Sequence, residues 1–600
     1  MADEKGSWKR FRRLGFDSKK FYRRAHKAET TTTRHAHRFV LNKLDSLRNA
    51  KQHIILWLVI VGVLIAAVAL QMIWYQQAYR TMAWKDGGTF AEASIGPIDT
   101  LNPLYASTNA ELSASRLIFS SLYRYDDTGH LAPDLATSMT SSKDGKQYTL
   151  QLRHDAYWGD NVKITADDIV FTVNLMKSPE AQSVMYRSGS WDNVGVKALD
   201  EYTVQFTLPA PTAPFPHALT FAVLPQHVLE DVSPSMLRQN TFSIAPVGSG
   251  PFTLKLLQLS PDRKHKIVNL SASDHYYGGK PKLSRFELHA YKNQDDMVRA
   301  LRTGEVNAAS DIDASAVSLP KGITVVDTPI NSGVYSLFNT TTGSLKDKQV
   351  RLALQVGTDV NRVREAIGYP VPALYLPFVN GQLSGKGIPA PPRHNIGEAE
   401  KLLTKAGWTL PKGAQVRVNK KKQPLTLQVV TVKDSVYEKV LERLAGQWRK
   451  LGIDVKTTVK DPESPTEDFV QAVLQPRAYD VLLYERVIGA DPDVYVYWHS
   501  SQATSVGYNF SNYKSEIGDD ILSSARSTND TQLRNEKYKA FARQWLKDAP
   551  ALGLYQSVMR YAYRPSVQPV LSSTGLPSSP ERFSDILYWS AVRTPVYKTP

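Results

Sequence analysis

The chain has 600 residues, 42% hydrophobic and 22% charged, with a formal net charge of +16. This composition fits several folded domains and not a disordered chain. The absence of cysteine excludes disulfides, cysteine-ligated zinc, iron–sulfur clusters, a cysteine nucleophile and a lipid on an N-terminal cysteine.

Charge is concentrated at the start. Residues 1–52 hold fifteen Lys and Arg against five Asp and Glu, so +10 of the +16 lies there. This basic tail reads as a solvated segment or as one attracted to anionic lipid heads. Residues 54–70, "IILWLVIVGVLIAAVAL", then carry no charge. With residues 72–75 they reach the length that spans a bilayer, which predicts a transmembrane helix over 53–75. Basic residues on the N-terminal side place the tail in the cytoplasm and the large C-terminal part outside, a single-pass cell-membrane topology. A cleaved signal peptide would be shorter and would end at a small-x-small site, which "QMIWYQQAYRTMAW" does not offer.

Further along, "QYTLQLR" and "YTVQFTL" alternate as half-buried strands do. Between them lies "WGDNVKITADDIVF", residues 158–171. Its adjacent Asp167 and Asp168 raise the question of an active site. Thr165 is a good N-cap, and acids in a first helical turn suit the helix dipole. Neighbours on a helix point about 100° apart, so the two carboxylates cannot share a proton. They are read as a helix start. "VGSGPF", residues 247–252, lacks the lysine of a phosphate loop and reads as a tight backbone crossing.

Two stretches then read as β–α–β. "SRFELHAY" leads through "NQDDMVRALRTG" to "EVNAAS". "LTLQVVTV" is followed by Val436, Val440, Leu444 and Trp448 on one helical face, a stop at Gly452, and the strand "DVKTTV". Such units predict α/β lobes, with a β-rich portion before them. No phosphate loop, zinc-protease helix, nucleophile elbow or dinucleotide fingerprint is present, and the thirteen histidines are scattered. The sequence therefore offers no catalytic residues, no metal ligands and no cofactor, and the chain does not read as an enzyme.

In chain order, "DTLNPLYASTNAELSASRLIFSSLYRYDDTGHLAPDLATSMTSSKDGKQYTLQLRHDAYW", "WGDNVKITADDIVFT", "LPQHVLE", "VGSGPF", "NTTTGSLKDKQVRLAL", "EAEKLLTKAGW", "GADPDVYVYW" and "LRNEKYKAFARQWLKDAPALGLY" resemble the extracellular solute-binding proteins of family 5. These are peptide- and nickel-binding receptors of ABC importers. The resemblance covers roughly residues 88–590. Asn161 stands where the family has glycine, a mild change because asparagine tolerates a left-handed turn.

The resemblance implies a bilobed α/β periplasmic-binding-protein-like fold with an extra inserted domain, preceded here by the transmembrane helix. Lobe I would comprise 86–122, 245–332 and 558–600, the inserted domain 123–244, and lobe II 333–557. The implied partners are a peptide or other small solute, a permease, ATPase subunits and the membrane, with no nucleic acid. A ligand sensor signalling through the helix, or a hydrolase on the same fold, are the alternatives.

The resemblance also implies a ligand site. One lobe would offer backbone at Thr108, Asn109 and Ala110, counted from the Asn-Pro turn. The other would offer Tyr484, Glu485, Arg486, Val487 and Ile488, just before a structural turn at Asp491. Relatives carry an aspartate for the peptide ammonium where this chain has Ile488. Glu485 is the candidate replacement, or else the ligand has no free amino terminus there.

Overall fold

The computed structural model describes residues 51–182, 191–313, 319–462 and 468–597. The basic tail, apart from its last two residues, lies outside them. Two compact units are distinguished: Met1–Ala83 with Thr594–Pro600, and Trp84–Arg593.

In the first unit, helix α1 runs Lys51–Tyr79, past the predicted end at residue 75. Its segment His53–Tyr79 is long and apolar enough to cross a membrane, and none of it is buried in protein. Large side chains lie bare all round it, among them Trp57, Leu64 and Leu70. A helix apolar on every face needs a non-aqueous surrounding.

The second unit is built on one sheet of ten strands. They are β1 Thr89–Ile95, β2 Phe252–Leu259, β3 Lys266–Ala272, β4 Arg285–Tyr291, β5 Ala308–Ala309, β6 Thr324–Phe338, β7 Thr426–Val432, β8 Asp454–Lys460, β9 Val481–Val487 and β10 Ala551–Tyr563. Their order across the sheet is β8-β7-β9-β6-β10-β5-β1-β4-β3-β2. Four helices matter below: α2 Asn109–Ile118, α3 Ala166–Lys177, α4 Gln294–Thr303 and α5 Ser435–Lys450.

Both predicted β–α–β units are present. Strands β7 and β8 are parallel, from Thr426 opposite Asp454 to Val432 opposite Lys460. Between them α5 buries Val436, Val440, Leu444 and Trp448, at about 1.5–3 kcal/mol per large apolar side chain. Asp434 caps its start by accepting from the amides of Val436 and Tyr437. Gly452, at φ +83°, turns the chain out of it, a conformation that costs glycine nothing. In the other unit, β4 and β5 flank β1 in parallel and α4 connects them.

The β-rich portion forms its own antiparallel sheet in the order Ala136–Ser141, Gln147–Leu152, Thr203–Thr207, Gly195–Asp200. It has no core of its own. Tyr148, Leu150, Val204 and Phe206 belong to the same apolar cluster as Phe90, Phe252, Phe286 and Trp589 of the main sheet region. The "VGSGPF" crossing lies where this portion rejoins the sheet. A Cβ on Gly248 would meet the carbonyl oxygen of Ile118 at 2.1 Å, so no larger residue fits. Asn161 takes the left-handed conformation, φ 69°.

At the other end of the sheet, one face carries Val429, Val440, Leu444 and Trp448, and the opposite face Val430, Leu482, Trp498 and Trp545. Strands β6 and β10, 15 and 13 residues long, run between the two ends. They pair antiparallel, from Thr324 opposite Tyr563 to Leu337 opposite Ala551, but the register slips between Pro329 and Gly333.

Candidate functional site

The slip in the two long strands organises the site. Residues 330–332 leave the ladder with β10, Ser332 staying paired with Val487 of β9, and the freed carbonyls find other partners. The Ile330 carbonyl accepts from the Gln556 amide side chain at 3.0 Å, and the Asn331 carbonyl from the backbone amides of Ile488 and Gly489 at 2.8 and 3.1 Å. A break in pairing whose polar groups are satisfied elsewhere lets the sheet bend there without leaving buried groups unpaired.

Glu485, near the end of β9, sits against this break. Its Oε1 accepts from the Ser557 hydroxyl at 2.5 Å, and Ser332 also bonds to it. Burial pushes its pKa up, and the carboxylates of Asp311 and Asp434 push it further. Asp311 follows β5, and Asp434 follows β7. Two further acids, each following a separate strand, thus act on Glu485, a setting in which a ligand cation would relieve the repulsion.

The segment 108–110 reaches the same place through Asp311. Asn109 donates from its side-chain amide to Asp311 at 3.2 Å, and Ser579 donates to the same carboxylate at 2.8 Å. Asp311 holds a left-handed backbone, φ 56°, and burial raises its pKa against the opposing pull of Arg582. Thr108 is the N-cap of α2. Its hydroxyl accepts from the Glu111 amide and donates to the Pro97 carbonyl. Ala110 is fully buried.

A contact between the two ends of the sheet lies close by: the Ser435 hydroxyl, at the start of α5, donates to Asp313.

The remaining candidates diverge, because successive strand side chains alternate faces. Arg486 points away from Glu485 into an aromatic cluster, its guanidinium 3.8 Å from the centre of the Phe510 ring. It is 4% exposed, and its Nε and Nη2 find no hydrogen-bond partner among the described residues. Tyr484 stacks on Phe469 in the same cluster, at 6.0 Å. Val487 is exposed, and its carbonyl accepts from the Tyr497 hydroxyl. Ile488, in the position of the relatives' aspartate, is buried in the core. Asp491 is held by Arg534, with Nη1 donating to Oδ2 at 2.7 Å, and faces His217 at 3.8 Å.

Asp168 is more than a helix cap. It accepts from the backbone amides of Thr165 and Gln226, each at 2.9 Å, and from the Trp158 indole at 3.4 Å. It ties α3 to the loop before it and to a separate turn, far from the acids described above in sequence and in role.

Two cavities lie elsewhere: one of about 480 Å³ beside Gln428, Thr458 and Tyr479, and one of about 280 Å³ beside Arg116, Asp134 and Tyr277.

Asp311, Asp434, Ser332 and Ser557 escaped the sequence reading. A signal existed for two of them. Asp311 and Asp434 each stand two residues beyond the carboxyl end of a parallel strand, where ligands bind in open α/β sheets.

Residues 130–515 match the family model described as bacterial extracellular solute-binding proteins, family 5 Middle. The chain is similar to the oligopeptide-binding protein AppA of Bacillus subtilis (strain 168), 26% identical over 487 residues, covering 78% of this chain and 86% of that protein. It is also similar to the dipeptide-binding protein of Escherichia coli (strain K12), 24% identical over 519 residues, covering 80% and 91%. Among solved structures, AppA from Bacillus subtilis with a nonapeptide aligns with a TM-score of 0.70 at 24% identity, covering 85% of this chain and 100% of that one. NikZ from Campylobacter jejuni with Ni(L-His) aligns with a TM-score of 0.71 at 24% identity, covering 84% and 99%. The family match spans more than half of the chain, and the sheet and its helices follow the fold of these proteins. This chain belongs to the bacterial extracellular solute-binding proteins of family 5.

Proposed function

We propose that this protein is the substrate-binding subunit of an ABC importer and that its solute is a peptide with a free amino terminus. The observation that carries this reading is the position of Glu485. It lies at the break in the two long strands, with Asp311 and Asp434 as further negative neighbours. A ligand ammonium there would offset the desolvation of Glu485 and Asp311. The peptide-binding relatives named above support the same solute class.

The proposed lobes are 86–122, 245–332 and 558–600 for the first, 333–557 for the second, and 123–244 for the insert. The slip in β6 and β10 falls at their junction. Closing about it would turn ligand binding into a shape that a permease can distinguish from the open form. Of the residues implied by the resemblance, Asn109 would face the ligand from the first lobe and Glu485 from the second, whereas Ala110, Arg486 and Ile488 are buried away from it. Asp491 keeps its structural place. Permease and ATPase subunits are the proposed partners, and the task requires binding without covalent chemistry.

Helix α1 is proposed as an uncleaved single-pass anchor with the basic tail inside. A tether raises the receptor's effective concentration at its permease. Protease applied to intact cells should remove the large unit and leave the tail protected. Native mass spectrometry of the full chain in detergent should reveal co-purified peptide. Recovery of a mature protein that begins beyond Tyr79 would overturn the anchor, and a ligand without a free amine would overturn the solute class.

A further inference from the structure

Three side chains in the β2–β4 region converge without any part in the site above. His265 closes the turn before β3, with the Ser260 amide donating to its carbonyl. His289 lies on β4. Lys266 pairs with Ala290 and Ile267 with His289, so the antiparallel register puts the two imidazoles on one face as diagonal neighbours. Glu305 follows Gly304, the left-handed residue that ends α4. The His265 Nε2 and His289 Nδ1 are 3.2 Å apart. Glu305 Oε1 lies 3.5 Å from the first and 3.9 Å from the second.

These separations are those of ligands around a small cation. Tetrahedral bonds of about 2.05 Å place neighbouring donor atoms about 3.3 Å apart. The surroundings fit as well. Glu287 lies 3.5 Å from the other ring nitrogen of His289, the place of the carboxylate that commonly orients a metal-bound imidazole. The Tyr291 hydroxyl donates to Glu305 Oε1 at 3.0 Å and steadies it. The carboxyl end of α4 adds the negative end of a helix dipole. Both imidazoles are 5% exposed, whereas Glu305 is 45% exposed, so the group opens to solvent on its carboxylate side.

We propose that His265, His289 and Glu305 hold a divalent transition-metal ion through two nitrogens and one oxygen, with a fourth position open to solvent. Borderline donors of this kind suit Zn²⁺, Co²⁺ or Ni²⁺ and not Mg²⁺ or Ca²⁺. A bound ion would staple the β2–β3 hairpin, β4 and the end of α4 to one another. The proposal does not depend on the solute-binding reading.

The test titrates Zn²⁺ and Co²⁺ into the metal-stripped full chain in detergent and compares it with Glu305→Gln, His289→Gln and Glu287→Gln. Glu305 is at the surface, so Glu305→Gln keeps the fold even if a histidine variant does not. The unmodified chain should bind one ion that both ligand variants lose. Bound Co²⁺ should show strong tetrahedral visible absorption. Zn²⁺ should raise the melting temperature by about 2–4 °C or more. Glu287→Gln should weaken binding by about 10–100-fold without abolishing it. Histidines of the tail, such as His35 and His37, would take up metal equally in all variants. Equal uptake by the unmodified chain and Glu305→Gln, or no uptake by either, overturns the proposal and leaves two imidazoles sharing a proton.

Discussion

Two desolvated carboxylates, the buried Asp168 and the half-buried Glu485, follow opposite rules. Asp168 accepts from two backbone amides and an indole. Glu485 has two hydroxyls and two further carboxylates for company. Burial raises both pKa values, yet only the first acid is surrounded by fixed donors. A buried acid with its acceptor capacity filled holds elements together. One that keeps capacity in hand, beside other acids at a break in the strand pairing, is where we propose a ligand cation binds. Hydrogen-bond satisfaction separates the two more cleanly than depth does.

The comparison breaks most readily at Glu485. Glu485→Gln is expected to weaken peptide binding by about 2–5 kcal/mol, the cost of truncating a buried charge pair. Unliganded stability should hold or rise, because a desolvated charge has gone. Calorimetric affinities and a melting curve measure both sides, and unchanged affinity would remove Glu485 from the site. Asp168→Ala should do the reverse. It strands two backbone amides and an indole, so a stability loss of about 2–3 kcal/mol is expected, more than a helix cap alone supplies, with peptide affinity unaltered.

The smallest effect is in pH. A folded carboxyl with a raised pKa contributes stability at low pH and loses it as pH rises through that pKa. An ammonium ligand needs the charged form, so affinity should move the other way. It should weaken as pH falls toward the raised pKa of Glu485, above the ordinary glutamate value of 4.5, by at most about 1.4 kcal/mol per pH unit for one proton. Binding in Glu485→Gln should be flat across that window.

Local pattern carried much of the fold. The four-residue spacing of Val436, Val440, Leu444 and Trp448 marks α5, and Gly452 marks its end, because both are written within one helix. The long helix α1 is legible for the same reason. The shared core of the β-rich portion is not. Alternation in "QYTLQLR" tells which face is apolar, but not that Leu150 meets the same cluster as Phe286. The site divides similarly. Glu485 was reachable through resemblance to a family motif. Asp311 and Asp434 come from strands that are not neighbours in the sheet, and only the strand order brings them near Glu485.

The strands β6 and β10 have a consequence for how the molecule comes apart. They pair with each other, and β6 bonds to β9 on one side while β10 bonds to β5 on the other. Pulling one end loose would strip partners from the other. Melting of the large unit is therefore expected as one cooperative event in calorimetry, and mutations near Ser557 should shift that single event without splitting it.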